Sequence, residues 1–188
     1  MEQKTFALKG NIIYTKERTR FEVMEQGWLV CEEGRVRDVY SVLPEELKGI
    51  PVEDMEDRLI IPGLTDLHIH APQYTFRSLG MDMELLEWLE TNTFPEESKY
   101  KDAEYAKKAY EMFAEQLKKS ATVRACIFGT IHNEATLILM DLLEEAGLHT
   151  MVGKVNMDRN SPDYLCEPSA EASAQATREW LKAVADRK

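Results

Sequence analysis

The dipeptide Pro62-Gly63 separates two kinds of sequence, and that break constrains the fold more than any other feature of the chain. Proline lacks the N–H that a strand ladder needs, and glycine weakens regular structure, so the pair ends one element and begins another. Before it the apolar runs are short. Phe6 to Tyr14 is β-rich, and Gly27 to Cys31 leads through the turn Glu32-Glu33-Gly34-Arg35 into Val36 to Tyr40. Two apolar runs around a glycine-containing turn predict a hairpin. Leu59-Ile60-Ile61 is a further short strand that the break stops. The acidic stretches Pro44-Glu45-Glu46 and Asp54-Met55-Glu56-Asp57 read as solvated loops. Residues 1–62 are therefore expected to form a small antiparallel β unit.

After the break, strand and helix patterns alternate. Leu64 to His70 is a strand, and Leu85 to Leu89 a short amphipathic helix. Asp102 is placed to cap a helix with Ala106, Tyr110, Phe113 and Leu117 on one face. Thr122 to Phe128, β-branched and apolar, predicts a buried strand. Asn133 is placed to cap a helix running through Leu137, Met140, Leu142 and Leu143, and Gly147 falls where a helix-ending glycine belongs. Leu148 to Val155 is the next strand. Ser169 opens a last helix with Ala172, Ala176, Trp180 and Val184 aligned. Three strand–helix units in a row imply parallel strands joined by crossover helices. Such a sheet is either an open α/β sheet or the first three-eighths of a (β/α)₈ barrel, and periodicity does not separate the two.

Length and charge narrow the choices. A complete barrel needs roughly 250 residues, and this chain has 188. The 23 basic and 34 acidic side chains give a net charge of −11, which argues against nucleic acid or an anionic membrane as partner. Cys31, Cys126 and Cys166 are odd in number and outside any C-x-x-C spacing, so they suit a reducing compartment. The opening Met1 to Phe6 lacks a signal-peptide layout, and no apolar run approaches the roughly 18 residues of a membrane span. The expectation is a cytoplasmic protein.

The chemistry concentrates between Pro62 and Tyr74. His68 and His70 are two apart on a strand, so both side chains leave the same face. At the strand's C-terminal end they are placed to share one metal ion, and neutral imidazole is a common ligand for zinc and related ions. A pair of core or surface histidines is the plainer alternative. Trp88 and Phe94 are candidates for the wall of a planar-ring pocket, though aromatics at helical spacing more often pack in a core. His132 ends the second strand and so lies at the rim where barrels place their chemistry. His149 reads as a loop or strand-edge residue, and Asp66 as a strand residue that orients the site. His132-Asn133-Glu134 matches H-x-E, but the P-C-x-x-C that such a zinc site also needs is missing.

The run Ile61-Pro62-Gly63-Leu64-Thr65-Asp66-Leu67-His68-Ile69-His70 resembles the first-strand signature of the amidohydrolase superfamily. Ala71-Pro72-Gln73-Tyr74 is narrower and resembles the guanine deaminase family. Leu85-Leu86-Glu87-Trp88-Leu89, Thr93-Phe94-Pro95-Glu96, Ala125 to His132 and Val152 to Asp158 extend that resemblance along the chain in order. It implies the N-terminal part of a TIM-like (β/α)₈ barrel, about three βα units over residues 63–188, preceded by part of a β-sandwich over 1–62. It implies hydrolysis of guanine to xanthine and ammonia, one Zn²⁺ per subunit, and a homodimer at full length. His68 and His70 would be the first two zinc ligands, Gln73 would hydrogen-bond the purine's polar edge, and Trp88 would flank it.

The family also uses two later histidines, an aspartate and a proton-transferring glutamate. His132 and His149 are the remaining histidines here, and neither lies in a matching motif. Two imidazoles alone rarely hold zinc, since its sites use three or four protein ligands. The chain is thus expected to be the front part of such an enzyme, with little or no deaminase activity by itself. A cytosine- or triazine-type deaminase and a non-catalytic remnant are the alternatives.

Overall fold

The computed structural model describes residues 5–187. The chain divides between Pro62 and Gly63 into two compact units. The first holds one mixed sheet. Strands β1 (Phe6–Glu17), β2 (Arg20–Glu32), β3 (Arg35–Tyr40) and β4 (Val52–Ile60) lie in the order β3-β2-β1-β4. β1–β2 and β2–β3 are antiparallel hairpins, whereas β4 runs parallel to β1. Ala7, Val30 and Leu47 are its buried centre, with Trp28, Tyr40, Leu43 and Ile50 packed around them.

Two expectations need correction in this unit. The sheet is mixed rather than antiparallel, and Asp54 to Asp57 is strand rather than solvated loop. β4 is an edge strand whose ladder with β1 is interrupted between Lys9 and Asn11. Its charged side chains face water, and one of them, Asp54, pairs with Lys9 at 3.2 Å. Charged edges discourage pairing with other chains, so an acidic composition is compatible with a strand there. The β1–β2 hairpin also runs further than its buried residues, because Thr15 to Glu17, Arg20 and Phe21 are exposed.

The second unit is built on three parallel strands, β5 (Leu64–His70), β6 (Thr122–Phe128) and β7 (His149–Gly153), ordered β5-β6-β7. Gly63 is required at the entry to β5, because a Cβ there would lie 2.2 Å from Val123 Cγ2. After β5 come a tight turn over Ala71–Phe76, then short helices α1 (Leu85–Trp88) and α2 (Phe94–Ser98). The long helices are α3 (Ala103–Lys118), α4 (Asn133–Glu145) and α5 (Ala170–Ala185).

The core lies on one face of this sheet. Tyr110, Phe113 and Leu117 of α3 and Leu139 and Leu143 of α4 cover Ala125 and Ile127 of β6, with Ile69 and Val152 alongside. Asp102 caps α3, accepting from the N–H groups of Glu104 and Tyr105 at 2.9 and 3.3 Å. Ser169 caps α5 through the N–H of Ala172 at 3.2 Å. α4 departs from expectation. Its cap position is His132, Asn133 is already helical, and the inward stripe is Ala135, Leu139 and Leu143. The Asn133 amide instead reaches across to donate to the Ala176 carbonyl at 2.9 Å. Gly147 ends the helix with φ +75°, and the Leu148 N–H closes back on Leu143 O at 3.1 Å. β7 is also shorter than the expected Leu148 to Val155. No helix among the described residues is long and apolar enough to cross a membrane.

Candidate active site

Alternation along the strands puts Arg124, Cys126, Phe128 and Met151 on the sheet face opposite the helices, and the face is open enough to leave Met151 67% exposed. His68 and His70 stand on that face at the C-terminal end of β5, beside Phe128 at the end of β6. The pair is set by local backbone. The ladder between β5 and β6 breaks between Asp66 and Ile69, and there the Asp66 carboxylate accepts the His68 backbone N–H at 3.0 Å. Asp66 thereby orients the strand and does not itself reach the imidazoles.

The two Nε2 atoms are 3.3 Å apart. Two nitrogens each about 2.0–2.1 Å from a tetrahedral zinc are about 3.3 Å from one another, so the rings are arranged as two corners of such a site. The His70 ring stacks on Phe128, with centroids 4.8 Å apart and planes 14° apart, while His68 tilts against the same ring at 4.8 Å. Burial, and secondarily the neighbouring His68, push the His70 imidazole below its ordinary pKa and favour the neutral form that metals bind. Among the described residues no third His, Cys, Asp or Glu joins them in a group able to hold a metal. The donors here fit half of a zinc site.

Gln73 lies on the turn that follows β5. That turn is tied down on both sides: Tyr100 Oη donates to the Pro72 carbonyl at 3.2 Å, and Thr75 Oγ1 to Glu96 at 2.7 Å. Trp88 packs on Phe76, the last residue of the turn, with ring centroids 5.6 Å apart. Its indole N–H is used on the Leu79 carbonyl at 3.0 Å, so only its ring surface is free to meet a ligand. Phe94 lines a separate cleft of about 440 Å³ with Glu90, Asn160 and Tyr164.

The other histidines part company. His149 is the first residue of β7, at the end of the sheet away from His70. His132 follows β6 at the same end as the pair, but it is held as a cap. Its N–H donates to Thr130 Oγ1 at 3.0 Å, its carbonyl accepts from Thr136 Oγ1 at 3.0 Å, and its Nε2 is buried without a partner. Burial, then Lys101 and Lys154, lower its pKa.

Three features escape the sequence reading. Phe128, part of the quoted strand, is the ring both histidines rest on. Lys154 and Glu167 form a buried ion pair at 2.7 Å, completed by the Met157 N–H and Ser173 Oγ. Glu96 and Glu97 are both buried in α2. A signal for the last pair exists: Thr93, Glu96, Glu97 and Tyr100 fall at one-turn spacing, and all four are buried, so the carboxyls sit on an inward face.

The fold and the histidine-bearing strand end belong to a known class. The amidohydrolase family profile matches residues 59–187, and the chain belongs to that family. Within it, the chain is 33% identical over 190 residues to a guanine deaminase of Dictyostelium discoideum, covering 92% of this chain and 42% of that protein. It is 34% identical to the guanine deaminase of Escherichia coli, over 85% of this chain and 36% of that one. A crystal structure of guanine deaminase from C. acetobutylicum, with guanine bound in its active site, superposes with a TM-score of 0.87 at 43% identity, over 95% of this chain and 42% of that one. The three parallel strands and their helices thus correspond to part of an amidohydrolase barrel. A triazine hydrolase, 16% identical with a TM-score of 0.73, shares the fold. The chain spans about two-fifths of the length of the relatives it matches.

Proposed function

We propose that this chain is the front part of a zinc-dependent guanine deaminase, which converts guanine and water to xanthine and ammonia. The observation that carries the reading is the 3.3 Å separation of the His68 and His70 Nε2 atoms at the C-terminal end of β5, in a chain similar to a guanine-bound deaminase. His68 and His70 would hold the zinc together with ligands from outside these residues. When bound, zinc lowers the pKa of a coordinated water to about 7 and so makes hydroxide available at neutral pH.

The chain's own residues prepare the rest. Phe128 and the half-buried setting keep His70 neutral and oriented. Gln73, one turn beyond the ligands, binds the polar edge of the purine, and the face of Trp88 flanks it. A site that hydrogen-bonds a substrate's polar edge rejects analogues lacking it by large factors. The bare inner face of the sheet, covered in a whole barrel, is what would keep bulk water from the ring. The three cysteines, none of them disulfide-bonded, accord with a cytoplasmic setting.

The test is ammonia release by the full-length protein. With guanine it should form xanthine and ammonia in equal amounts, lose activity to a chelator and regain it with Zn²⁺. Turnover of a triazine or cytosine in place of guanine would contradict the reading.

A further inference from the structure

The turn that carries Gln73 is held from outside itself. It runs over six residues, Ala71–Phe76, as a 3₁₀ helix. Such helices seldom exceed three or four residues, because their hydrogen bonds are poorly aligned. Two hydroxyls brace it, one on each side of Gln73. Tyr100 Oη donates at 3.2 Å to the Pro72 carbonyl, the oxygen of the peptide that joins Pro72 to Gln73. Two residues beyond Gln73, Thr75 Oγ1 donates to Glu96 Oε1 at 2.7 Å. The Pro72 carbonyl, 3.4 Å from the same hydroxyl, is the weaker acceptor.

Glu96 is the hub of this support. It is 8% exposed, and a carboxylate so far from water needs donors on its oxygens. Three supply them: Thr75 and Tyr105 donate to Oε1, and Lys99 Nζ to Oε2 at 2.6 Å. Burial raises the pKa of Glu96, but Lys99, Tyr105 and Thr75 outweigh it and hold the carboxyl below its ordinary value. Its neighbour Glu97 goes the other way, and burial pushes that carboxyl up to about 7. Tyr105 stands in the first turn of α3 and meets the buried Tyr100 ring edge-on, with centroids 5.4 Å apart. Both braces on the turn are thereby anchored to the packed core.

We propose that Glu96, acting through Thr75, is the positioning residue for Gln73 and so sets how tightly guanine is bound. The inference rests on the role given to Gln73 above. A turn released from its brace must be reordered when the purine binds, at a cost of about 1–2 kcal/mol for each backbone residue fixed. That cost is common to the ground state and the transition state, so it appears in KM and spares kcat.

The test is steady-state kinetics on guanine with the full-length enzyme. Thr75→Val removes the hydroxyl, keeps the shape and leaves Glu96 with Lys99 and Tyr105 as donors. It should raise KM about tenfold with kcat within about twofold, and Thr75→Ser, which restores the hydroxyl, should bring KM back. Glu96→Gln should also raise KM, and adding Thr75→Val to it should change KM by less than about twofold more, because the two act as one unit. In a Gln73→Ala background Thr75→Val should likewise add less than about twofold, an outcome that a general loosening of the fold would not give. Should Glu96→Gln fail to fold, the Thr75 series decides alone. If Gln73→Ala raises KM while Thr75→Val leaves it unmoved, the Glu96 assignment is overturned and Gln73 keeps its role. A Thr75→Val effect that persists in full without Gln73 also overturns the assignment. A guanine KM unmoved by Gln73→Ala overturns both readings.

Discussion

The two faces of the β5-β6-β7 sheet are made from the same strands and do opposite work. On one face Ala125 and Ile127 lie under Tyr110, Phe113, Leu139 and Leu143, all nearly inaccessible to water. On the other, Phe128 carries two imidazoles, and Met151 remains largely exposed. Alternation along a strand is what lets one residue serve packing while its neighbour serves chemistry. Stability and the proposed zinc site should therefore respond to different substitutions, and that separation can be attacked directly in the full-length protein.

The largest effect is expected on the histidine face. His68→Ala and His70→Ala should each bring ammonia release from guanine below detection. That is a greater loss than the about 10–100-fold cost of removing an outer-shell partner. Thermal melting of the zinc-free protein should hardly move, because neither side chain belongs to the packed core. Coincident loss of folding would break the comparison. On the packed face, Leu139→Ala should cost about 2–5 kcal/mol in denaturant unfolding, since Leu139 is wholly buried and its loss leaves a cavity. A cost under about 1 kcal/mol would mean that the helix face is not the core.

A smaller and pH-dependent effect belongs to Glu97. Its folded pKa of about 7 lies above its ordinary 4.5, so the folded state keeps a proton that the unfolded state has lost. Stability then falls as pH rises from 4.5 to 7, and Glu97→Gln removes that penalty. The variant should be the more stable above pH 7, by at most about 3 kcal/mol, with the advantage shrinking to nothing near pH 4.5. Urea unfolding at several pH values reads this out, and an advantage that grows toward acid would contradict the burial argument. Smallest is the cap of α3. Asp102→Ala should cost about 1 kcal/mol, read as a modest fall in melting temperature with zinc binding unchanged.

How much of this was legible before any coordinates depended on what each residue faces. β5 and β6 were readable because Pro62-Gly63 forces the start of the one and β-branched and apolar residues fill the other. α3 was readable because Ala106, Tyr110, Phe113 and Leu117 all face the core and Asp102 caps them. β4 was not, because an exposed edge strand can be acidic and still pair. The cap of α4 was misplaced by one residue, since Thr130 and Thr136 hold the backbone of His132 in a way that spacing does not announce. At the site, the His68–His70 pair follows from period two, but its ring support does not. Phe128 comes from a strand more than fifty residues away, and the buried Glu97 lies on a helix that composition alone would place at the surface.

The most direct measurement is the coordination of zinc in the full-length protein, by X-ray absorption or crystallography. The account predicts one zinc bonded to Nε2 of both His68 and His70 at about 2.0–2.1 Å, lost together when either residue is replaced by alanine. A tightly held zinc whose ligands include neither histidine would contradict it.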